Sequence, residues 1–189
     1  MSWERLRVFI AVDIDDPLLV SSITRVIDSL TTLGVPMKPV EPQNLHITIR
    51  FIGEVPRSTV DEIIESVLSK VSFKEFTLRL KGMGAFPSTV RPRVVWIGVE
   101  DGFRELRELR DQVETGLRAL GLKPERQDFK PHLTLARIKG TRNIASLVKF
   151  ITEYQDYEFG EMKVKALRLK KSTLTRSGPI YETLWEVKA

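Results

Sequence analysis

Strand-like and helix-like hydrophobic patterns alternate in a fixed order along the first half of this chain. Residues 7–12 form a run rich in β-branched and aromatic side chains, which is typical of a strand. Apolar residues at helical spacing follow from Leu19 to Leu33, between a typical helix start at Asp16-Pro17 and a typical stop at Gly34. The pattern therefore predicts a strand followed by an amphipathic helix.

The same order of elements returns 86 positions later in the chain. Most residues differ between the two halves, so the repeat is one of architecture rather than of sequence. Each half is predicted to contain a β-α-β-α-β unit. The predicted segments are 7–12, 19–33, 45–52, 60–71 and 76–81 in the first half, and 93–98, 106–120, 132–138, 144–151 and 162–169 in the second.

These elements predict an α+β fold with two pseudo-symmetric lobes, whose mainly antiparallel sheets face a central cleft. A single domain is expected over residues 1–189, with lobe 1 at about 5–82, lobe 2 at about 93–169 and C-terminal hairpin strands at about 165–187. Two stretches rich in Gly and Pro are interpreted as connections. Residues 82–87 are expected to join the lobes as a loop, and residues 177–179 are expected to turn the hairpin.

Composition narrows the functional class. The chain is 42% hydrophobic and 29% charged, as in ordinary globular proteins, and no apolar run is long enough to cross a membrane. Its start, Met1-Ser2-Trp3-Glu4-Arg5, lacks the apolar core of a signal peptide, so we expect a cytoplasmic protein with no membrane partner. We also expect a monomer. Cys is absent, which excludes disulfides, thiolate nucleophiles and zinc-thiolate sites. A net charge of +5 favours an anionic partner such as RNA or a nucleotide.

The chain has only two histidines, and both lie in the same four-residue setting. On composition alone, one histidine would begin the pattern His-apolar-Thr-apolar by chance about once in a hundred cases. The two settings are His46-Ile47-Thr48-Ile49 and His132-Leu133-Thr134-Leu135. A coincidence of both predicts an active site built from two matched halves.

A strand explains why this pattern suits chemistry. Alternate side chains of a strand share a face, so each motif buries its apolar pair and directs an imidazole and a hydroxyl to the other side. Imidazole exchanges protons readily near neutral pH, and two imidazoles on opposite sides of a phosphorus can act as base and acid in one displacement. Zinc is a weaker interpretation, because no Cys is present and no carboxylate lies at metal spacing beside either motif. A Ser-His-Asp triad is also disfavoured, since the chain has no G-x-S-x-G sequence.

With these motifs the chain resembles the 2H phosphoesterase superfamily, and within it the RNA 2′,3′-cyclic phosphodiesterases, also called 2′-5′ RNA ligases. The resemblance covers nearly all of residues 5–185. It rests on the HxTx motifs with their flanks (44–53 and 130–137), the opening strand (7–12) and the mid-chain segments 86–87 and 91–96.

The resemblance implies an enzyme of RNA processing that hydrolyses 2′,3′-cyclic phosphate ends, tRNA fragments among them, to 2′-phosphomonoesters without metal or cofactor. It implies that His46 is the proton donor to the leaving 3′ oxygen and that His132 is the proton acceptor that activates water. Thr48 and Thr134 would hold the imidazoles or the phosphate, and Arg137 would bind phosphate charge. The reverse reaction, 2′-5′ ligation, would use the same groups.

Three supporting residues are less determined by the pattern. Simple alternation turns Arg137 away from the cleft unless a bulge redirects it. Arg50 is in phase with His46 and Thr48, so it is a candidate for phosphate binding, and the alternative is a partly buried charge paired with a carboxylate. Phe86, interpreted as a loop residue, is a candidate for stacking on a nucleobase.

Two further functions remain open. The same site could act on 2′-5′-linked oligonucleotides or small cyclic nucleotides, because the surrounding loops decide which substrate fits. A non-catalytic module that binds RNA or nucleotides is the third candidate. Two titratable groups argue against it, since binding phosphate needs donors but no proton transfer.

Overall fold

A computed structural model describes residues 4–189, so Met1, Ser2 and Trp3, which belong to the expected domain and to the start segment considered above, lie outside the described residues. The described part contains nine strands and four α-helices. The strands are β1 (Arg5–Asp13), β2 (Met37–Pro39), β3 (His46–Pro56), β4 (Phe76–Pro87), β5 (Pro92–Asp101), β6 (His132–Ile138), β7 (Glu158–Val164), β8 (Ala166–Thr175) and β9 (Gly178–Lys188). The helices are α1 (Pro17–Thr31), α2 (Arg57–Ser66), α3 (Phe103–Ala119) and α4 (Ile144–Glu153).

Helix α1 illustrates how the sequence determines local structure. The Asp16 side chain accepts a hydrogen bond from the Leu19 backbone N–H at 2.9 Å, which satisfies one of the free donors of the first turn. Pro17 occupies the first turn, where its missing N–H is not needed. The buried residues recur at helical spacing and cover the sheet: Leu19, Ile23, Val26, Ile27 and Leu30. This start and this buried face are those predicted.

All strand pairs are antiparallel and form one sheet. Its order is β7-β4-β5-β6-β3-β1-β8-β9, with β2 paired to β6 outside this path. The predicted α+β class with an antiparallel sheet is therefore confirmed. The last strand of each predicted unit, however, pairs with the first strand of the other half. Strand β4 of the first half pairs with β5, and β8 of the second half pairs with β1. The two sequence halves consequently share one sheet, and the two motif strands β3 and β6 are neighbours at its centre.

One predicted connection is wrong and the other is confirmed. Residues 82–87 belong to β4 rather than to a loop, and the chain turns only at residues 88–91. Gly84 is needed because Trp96 of β5 lies directly against it, so that an added Cβ would come within 2.4 Å of the indole ring. The second stretch does turn the hairpin between β8 and β9, which pair from Ala166 and Lys188 to Thr175 and Gly178.

The core lies between the helices and one face of the sheet. The four apolar motif residues Ile47, Ile49, Leu133 and Leu135 are at most 1% exposed and belong to this core, as predicted. The opposite face of β3 and β6 is thereby left for polar side chains. Within residues 4–189, none of the helices combines the length and the apolar character needed to span a bilayer.

Candidate active site

The two motif strands meet at a single register pair, Ile47 with Leu133. Because the strands are antiparallel, this pair sets His46 opposite Thr134 and Thr48 opposite His132. All four side chains line one cavity of about 610 Å³. The structure therefore brings together the two histidines and two threonines that the sequence singled out.

His46 is held by its neighbours on both ring nitrogens. Nδ1 lies 2.7 Å from the Asn44 carbonyl, and Nε2 lies 3.1 Å from the Thr48 hydroxyl. A carbonyl can only accept, so Nδ1 carries a proton and Nε2 is the nitrogen that exchanges one. The rings of Phe9 and Tyr181 flank the imidazole, with centroids 5.0 and 5.3 Å away. Chain connectivity, hydrogen bonds and packing together fix this ring.

His132 repeats the arrangement with different neighbours. Its Nδ1 lies 2.6 Å from the Lys130 carbonyl, so Nδ1 carries a proton here too. In the neutral ring, Nε2 is therefore the unprotonated nitrogen available in the cavity. Asn44 and Lys130, the two acceptors, precede their histidines by two residues and are themselves 86 positions apart. Phe86 meets the His132 ring edge-on at 4.9 Å, and Trp96 lies 6.4 Å away.

Burial lowers the pKa of both imidazoles, because a charged ring loses hydration in the cavity. At His46 this effect of burial on the pKa is opposed by the Asn44 carbonyl and by Asp13, and it is reinforced by Lys170 and His132. At His132 the Lys130 carbonyl opposes the fall in pKa and Arg137 reinforces it. Without a bound anion, the site therefore favours two neutral imidazoles.

Arg137 lines the cavity, contrary to simple alternation. The register between β5 and β6 shifts after Thr134, so that Leu135 is an extra residue and the next partner is Ala136. Such a bulge reverses the phase of the strand beyond it. Ala136 is consequently buried, and the Arg137 side chain points to the same side as Thr134.

The same bulge in β3 makes the phosphate-binding prediction for Arg50 wrong. The register with β1 shifts at Ile49, which turns Arg50 away from the cavity and into a buried position. Its guanidinium pairs with Glu114 and donates to the carbonyls of Phe51 and Lys123. The alternative interpretation, a buried charge paired with a carboxylate, is the correct one.

Phe51 takes the place in the cavity that Arg50 was expected to occupy. Its ring is 39% exposed, and the Arg7 guanidinium lies 4.7 Å above it. Neither Phe51 nor Arg7 was predicted to belong to the site, although the sequence does carry a signal for Phe51. Phe51 stands 86 positions before Arg137, so the repeat that found the histidines also pairs these two positions.

Tyr181 joins the site from the C-terminal hairpin. The Asn44 side-chain amide donates to the Pro179 carbonyl at 3.1 Å, and the Lys38 ammonium donates to the Ser177 carbonyl. These bonds hold the hairpin against the cavity wall, which Pro179 and Tyr181 help to form. Basic and aromatic side chains thus surround the histidines on the His46 side.

A second cavity of about 670 Å³ adjoins the first. It is bordered by Thr48, Phe86, His132 and the loop of residues 125–130, but not by His46. His132 consequently lies on both cavities and His46 on one. Phe86 lies on β4, in contact with His132, rather than in the expected loop, and its nucleobase contact stays a prediction.

Metal donors are scarce around the histidines. The lining of the first cavity includes a single carboxylate, Glu41. Across residues 4–189, no group of three or more His, Asp and Glu side chains is placed to hold a metal ion. The functional groups that the cavity does offer are imidazoles, hydroxyls and guanidinium groups.

Two imidazoles, two hydroxyls and a guanidinium around one cavity fit a phosphoesterase class of site, and comparison with known proteins agrees. The family model described as LigT like Phosphoesterase matches this chain twice, at residues 20–96 and 97–181. The chain belongs to this family, the LigT-like 2H phosphoesterases.

Curated relatives carry a more specific name. A protein of Aeropyrum pernix named RNA 2′,3′-cyclic phosphodiesterase is 53% identical over 171 residues, which is 90% of this chain and 97% of the relative. One of the same name from Archaeoglobus fulgidus is 42% identical over 180 residues, which is 95% and 98% of the two chains. Among solved structures, E. coli LigT in apo form has a TM-score of 0.79 at 24% identity and 98% coverage of both chains, which supports the fold.

Proposed function

We propose that this protein hydrolyses 2′,3′-cyclic phosphate ends of RNA to 2′-phosphomonoesters by two-histidine acid–base catalysis. The observation that carries the proposal is the matched pair of imidazoles, each with Nδ1 bound to a backbone carbonyl and Nε2 left for the cavity. The names of the curated relatives support the same substrate.

The reaction needs one acid and one base on opposite sides of the phosphorus. Neutral His132 takes a proton from water through Nε2 as the oxygen attacks. Protonated His46 gives its Nε2 proton to the 3′ oxygen as the P–O3′ bond breaks. The phosphate stays on the 2′ oxygen, and the two rings finish in exchanged protonation states. Proton exchange with solvent restores them.

The remaining cavity side chains stabilise the charge that develops on the phosphorus. Arg137 presents a guanidinium next to Thr134, and the two together can donate to the non-bridging oxygens. The Thr48 hydroxyl contacts His46 Nε2 in the free site and can donate its hydrogen bond to the phosphate instead when substrate is bound. A bound phosphate also raises the pKa of His46, which opposes the effect of burial and favours the protonated acid.

The substrate fits the division between the two cavities. In-line attack places the leaving 3′ oxygen on the His46 side. Its nucleoside, which keeps the phosphate on the 2′ oxygen, can then meet the aromatic surface that Phe9, Phe51 and Tyr181 provide in the first cavity. A solved structure of E. coli LigT has 3′-AMP bound, and we extend nucleotide binding to this related fold. RNA fragments such as those of tRNA are proposed substrates of a monomeric, cytoplasmic enzyme in RNA processing.

Ligation is a second activity that one observation favours. The cavity beside His132 is large enough for a nucleoside, although hydrolysis requires only a water molecule there. A 5′-hydroxyl bound in it could lose its proton to His132 and attack the cyclic phosphate, giving a 2′-5′ linkage. Cleavage of 2′-5′ oligonucleotides or of small cyclic nucleotides is the alternative substrate range of the same site.

The experiment is incubation with RNA that ends in a 2′,3′-cyclic phosphate, in the presence of EDTA. We expect complete conversion to the 2′-phosphate, identified by its resistance to enzymes specific for 3′-phosphates. A 3′-phosphate product, or a strict requirement for Mg²⁺ or Zn²⁺, would contradict the mechanism. Parallel reactions with 2′-5′ oligoadenylate and a small cyclic nucleotide separate the alternatives, and a faster turnover of either would replace the RNA end as the substrate.

A further inference from the structure

The two halves attach their motif strands to the preceding segment in different ways. In the first half, β2 pairs with β6, and the Val40 N–H donates to the carbonyl of the bulged Leu135 at 2.8 Å. The segment that corresponds to β2 by the offset of 86 is residues 123–125, which form no strand. The bulged residue of β3, Ile49, instead gives its carbonyl to the guanidinium of Arg110.

Buried side chains replace the missing strand. Arg50 on β3 donates to the Lys123 carbonyl at 2.6 Å, and Arg110 on α3 pairs with Glu125 at 2.7 Å. Both guanidinium groups share the carboxylate of Glu114, whose side chain is only 12% exposed. The cluster of Arg50, Arg110, Glu114 and Glu125 thus joins the bulge of one motif strand to the loop that leads into the other.

This loop ends on the backbone group that holds His132. Arg110 also lies 5.5 Å from the ring of Phe129, and the next residue, Lys130, provides the carbonyl for His132 Nδ1. Direct pairing between β3 and β6 is limited to Ile47 and Leu133, although β5 pairs with β6 as far as Gly98 and His132. The cluster therefore supplies a link between β3 and the loop before His132 that strand pairing does not provide.

We propose that the Arg50–Arg110–Glu114–Glu125 cluster is a positioning device, which sets the His132 ring on β6 relative to His46 and Thr48 on β3. Arg110 and Glu125 also border the second cavity, but hydrolysis places only a water molecule there, so none of the four members needs to contact the cyclic phosphate. The inference rests on the proposed function for its effect on turnover, whereas the placement of His132 can be measured without substrate. A ring displaced by about 1 Å can slow a reaction up to a hundredfold, so the expected effect is on kcat.

Glu125→Gln is the most informative variant, because it weakens the attachment of the loop and leaves the pairs of Glu114 with Arg50 and Arg110 in place. We expect kcat to fall about tenfold, with KM within about twofold of the wild type. Arg110→Met should lose more and Arg110→Lys should recover part of it. Arg104→Met is the matched control, since Arg104 is on the same helix and its ion pairs with Glu105 and Glu108 are on the surface.

The second readout is the NMR titration of the two imidazoles, which are the only histidines in the chain. In Glu125→Gln, water reaches the ring of His132 and its pKa should rise toward the ordinary value, while the pKa of His46 moves less. The other charged or titratable groups around His132 are Arg137 on β6, His46 on β3, Arg110 on α3, and Arg126, Asp128 and Lys130 on the loop. All of these remain in the variant.

The outcomes separate the two proposals. Lower kcat with a shifted His132 titration supports positioning. Wild-type kcat and titration in Glu125→Gln, or a lower melting temperature as the only change, would overturn it, as would an equal loss in Arg104→Met. Should Arg110→Met fail to fold, Glu125→Gln and Arg110→Lys still decide. If the wild type turns over no cyclic phosphate, the proposed function fails, and the titration alone tests the cluster.

Discussion

The two halves of this molecule share a backbone plan but place different side chains on it. Both motif strands carry a bulge three residues after the histidine, at Ile49 and Leu135. The next position is Arg50 in one half and Ala136 in the other, and the position after that is Phe51 or Arg137. The repeated backbone therefore presents an aromatic ring to the first cavity from one motif strand and a guanidinium from the other.

This difference matches what the reaction demands. A phosphate ester is asymmetric, with a nucleoside on the leaving side and a small nucleophile on the attacking side. The first cavity combines aromatic surface from Phe9, Phe51 and Tyr181 with the Arg137 guanidinium, and the second cavity is bordered by His132 but not by His46. A symmetric scaffold can supply matched imidazoles, and the proposed roles of acid and base rest on the unlike side chains around them.

The largest expected effect comes from removing either imidazole. His46→Ala and His132→Ala should each lower kcat by about 10² to 10⁴-fold, since a positioned general acid or base contributes about this much. Binding of the 2′-phosphate product, measured by calorimetry, should persist in both. Retention of full activity in one variant would show that the two halves do not act as a pair.

Substitution of the arginine that lies beyond the bulge in each motif strand should have unequal consequences for activity and stability. Arg137→Met should lower kcat/KM about a hundredfold, because one well-placed donor to a developing anion contributes about 2.7–4 kcal/mol. Thermal unfolding should hardly change, since Arg137 is on the surface of the cavity. Arg50→Met should instead lower the melting temperature clearly, because it leaves buried Glu114 with a reduced set of partners. Similar stability losses in both variants would contradict this division.

Substrate binding should depend on Phe51 more than on Phe86. Loss of base stacking costs about 1–3 kcal/mol, so Phe51→Ala should raise KM about tenfold with a smaller change in kcat. Phe86→Ala removes a ring from the attacking side, where hydrolysis uses only water, so its KM should stay nearer the wild type. These KM values can be measured by steady-state kinetics on a dinucleotide that ends in a 2′,3′-cyclic phosphate and on a 2′,3′-cyclic mononucleotide. The reverse order of the two effects would place the nucleoside in the second cavity.

The smallest effect concerns stability and pH. Because burial lowers the pKa of both imidazoles, the unfolded chain binds protons more readily than the folded one. The stabilisation is present above the ordinary imidazole pKa, about 6.5, and is lost as the pH falls through the lower values of the folded protein. The melting temperature should therefore drop between about pH 7 and pH 5, and less so in a double variant with both histidines changed to Asn. An equal drop in the double variant would assign it to other groups.

Much of this arrangement could be predicted from the sequence. Hydrophobic periodicity located most of the helices and strands, although it missed β2 and merged the end of β7 with the start of β8 as one strand at 162–169. The alternation of each HxTx motif correctly divided buried Ile47 and Leu133 from the polar face. The histidine pair was found because rare residues in a repeated setting are conspicuous. Helix α1 was predicted with its start, since Asp16 and Pro17 act locally.

What escaped prediction depends on contacts between distant segments. A bulge changes the phase of a strand without changing its composition, so Arg50 was assigned to the cavity and Phe51 was overlooked. The residue that lies against Gly84 is Trp96 on a neighbouring strand. Because that contact is not visible in the sequence, a stretch with two glycines and a proline resembles a loop. The exchange of β4 and β8 between halves, and the carbonyls that hold the histidines, are likewise properties of the folded chain.

The pH dependence of kcat/KM in the wild type and in the two histidine variants tests the central claim most directly. The wild-type profile should be bell-shaped with its maximum below about pH 6.5, because the pKa values of both free imidazoles are lowered. His132→Ala should lose the acid limb of the profile and His46→Ala the alkaline limb. A profile that keeps both limbs in either variant, or loses the same limb in both, would contradict the assignment of these two imidazoles as base and acid.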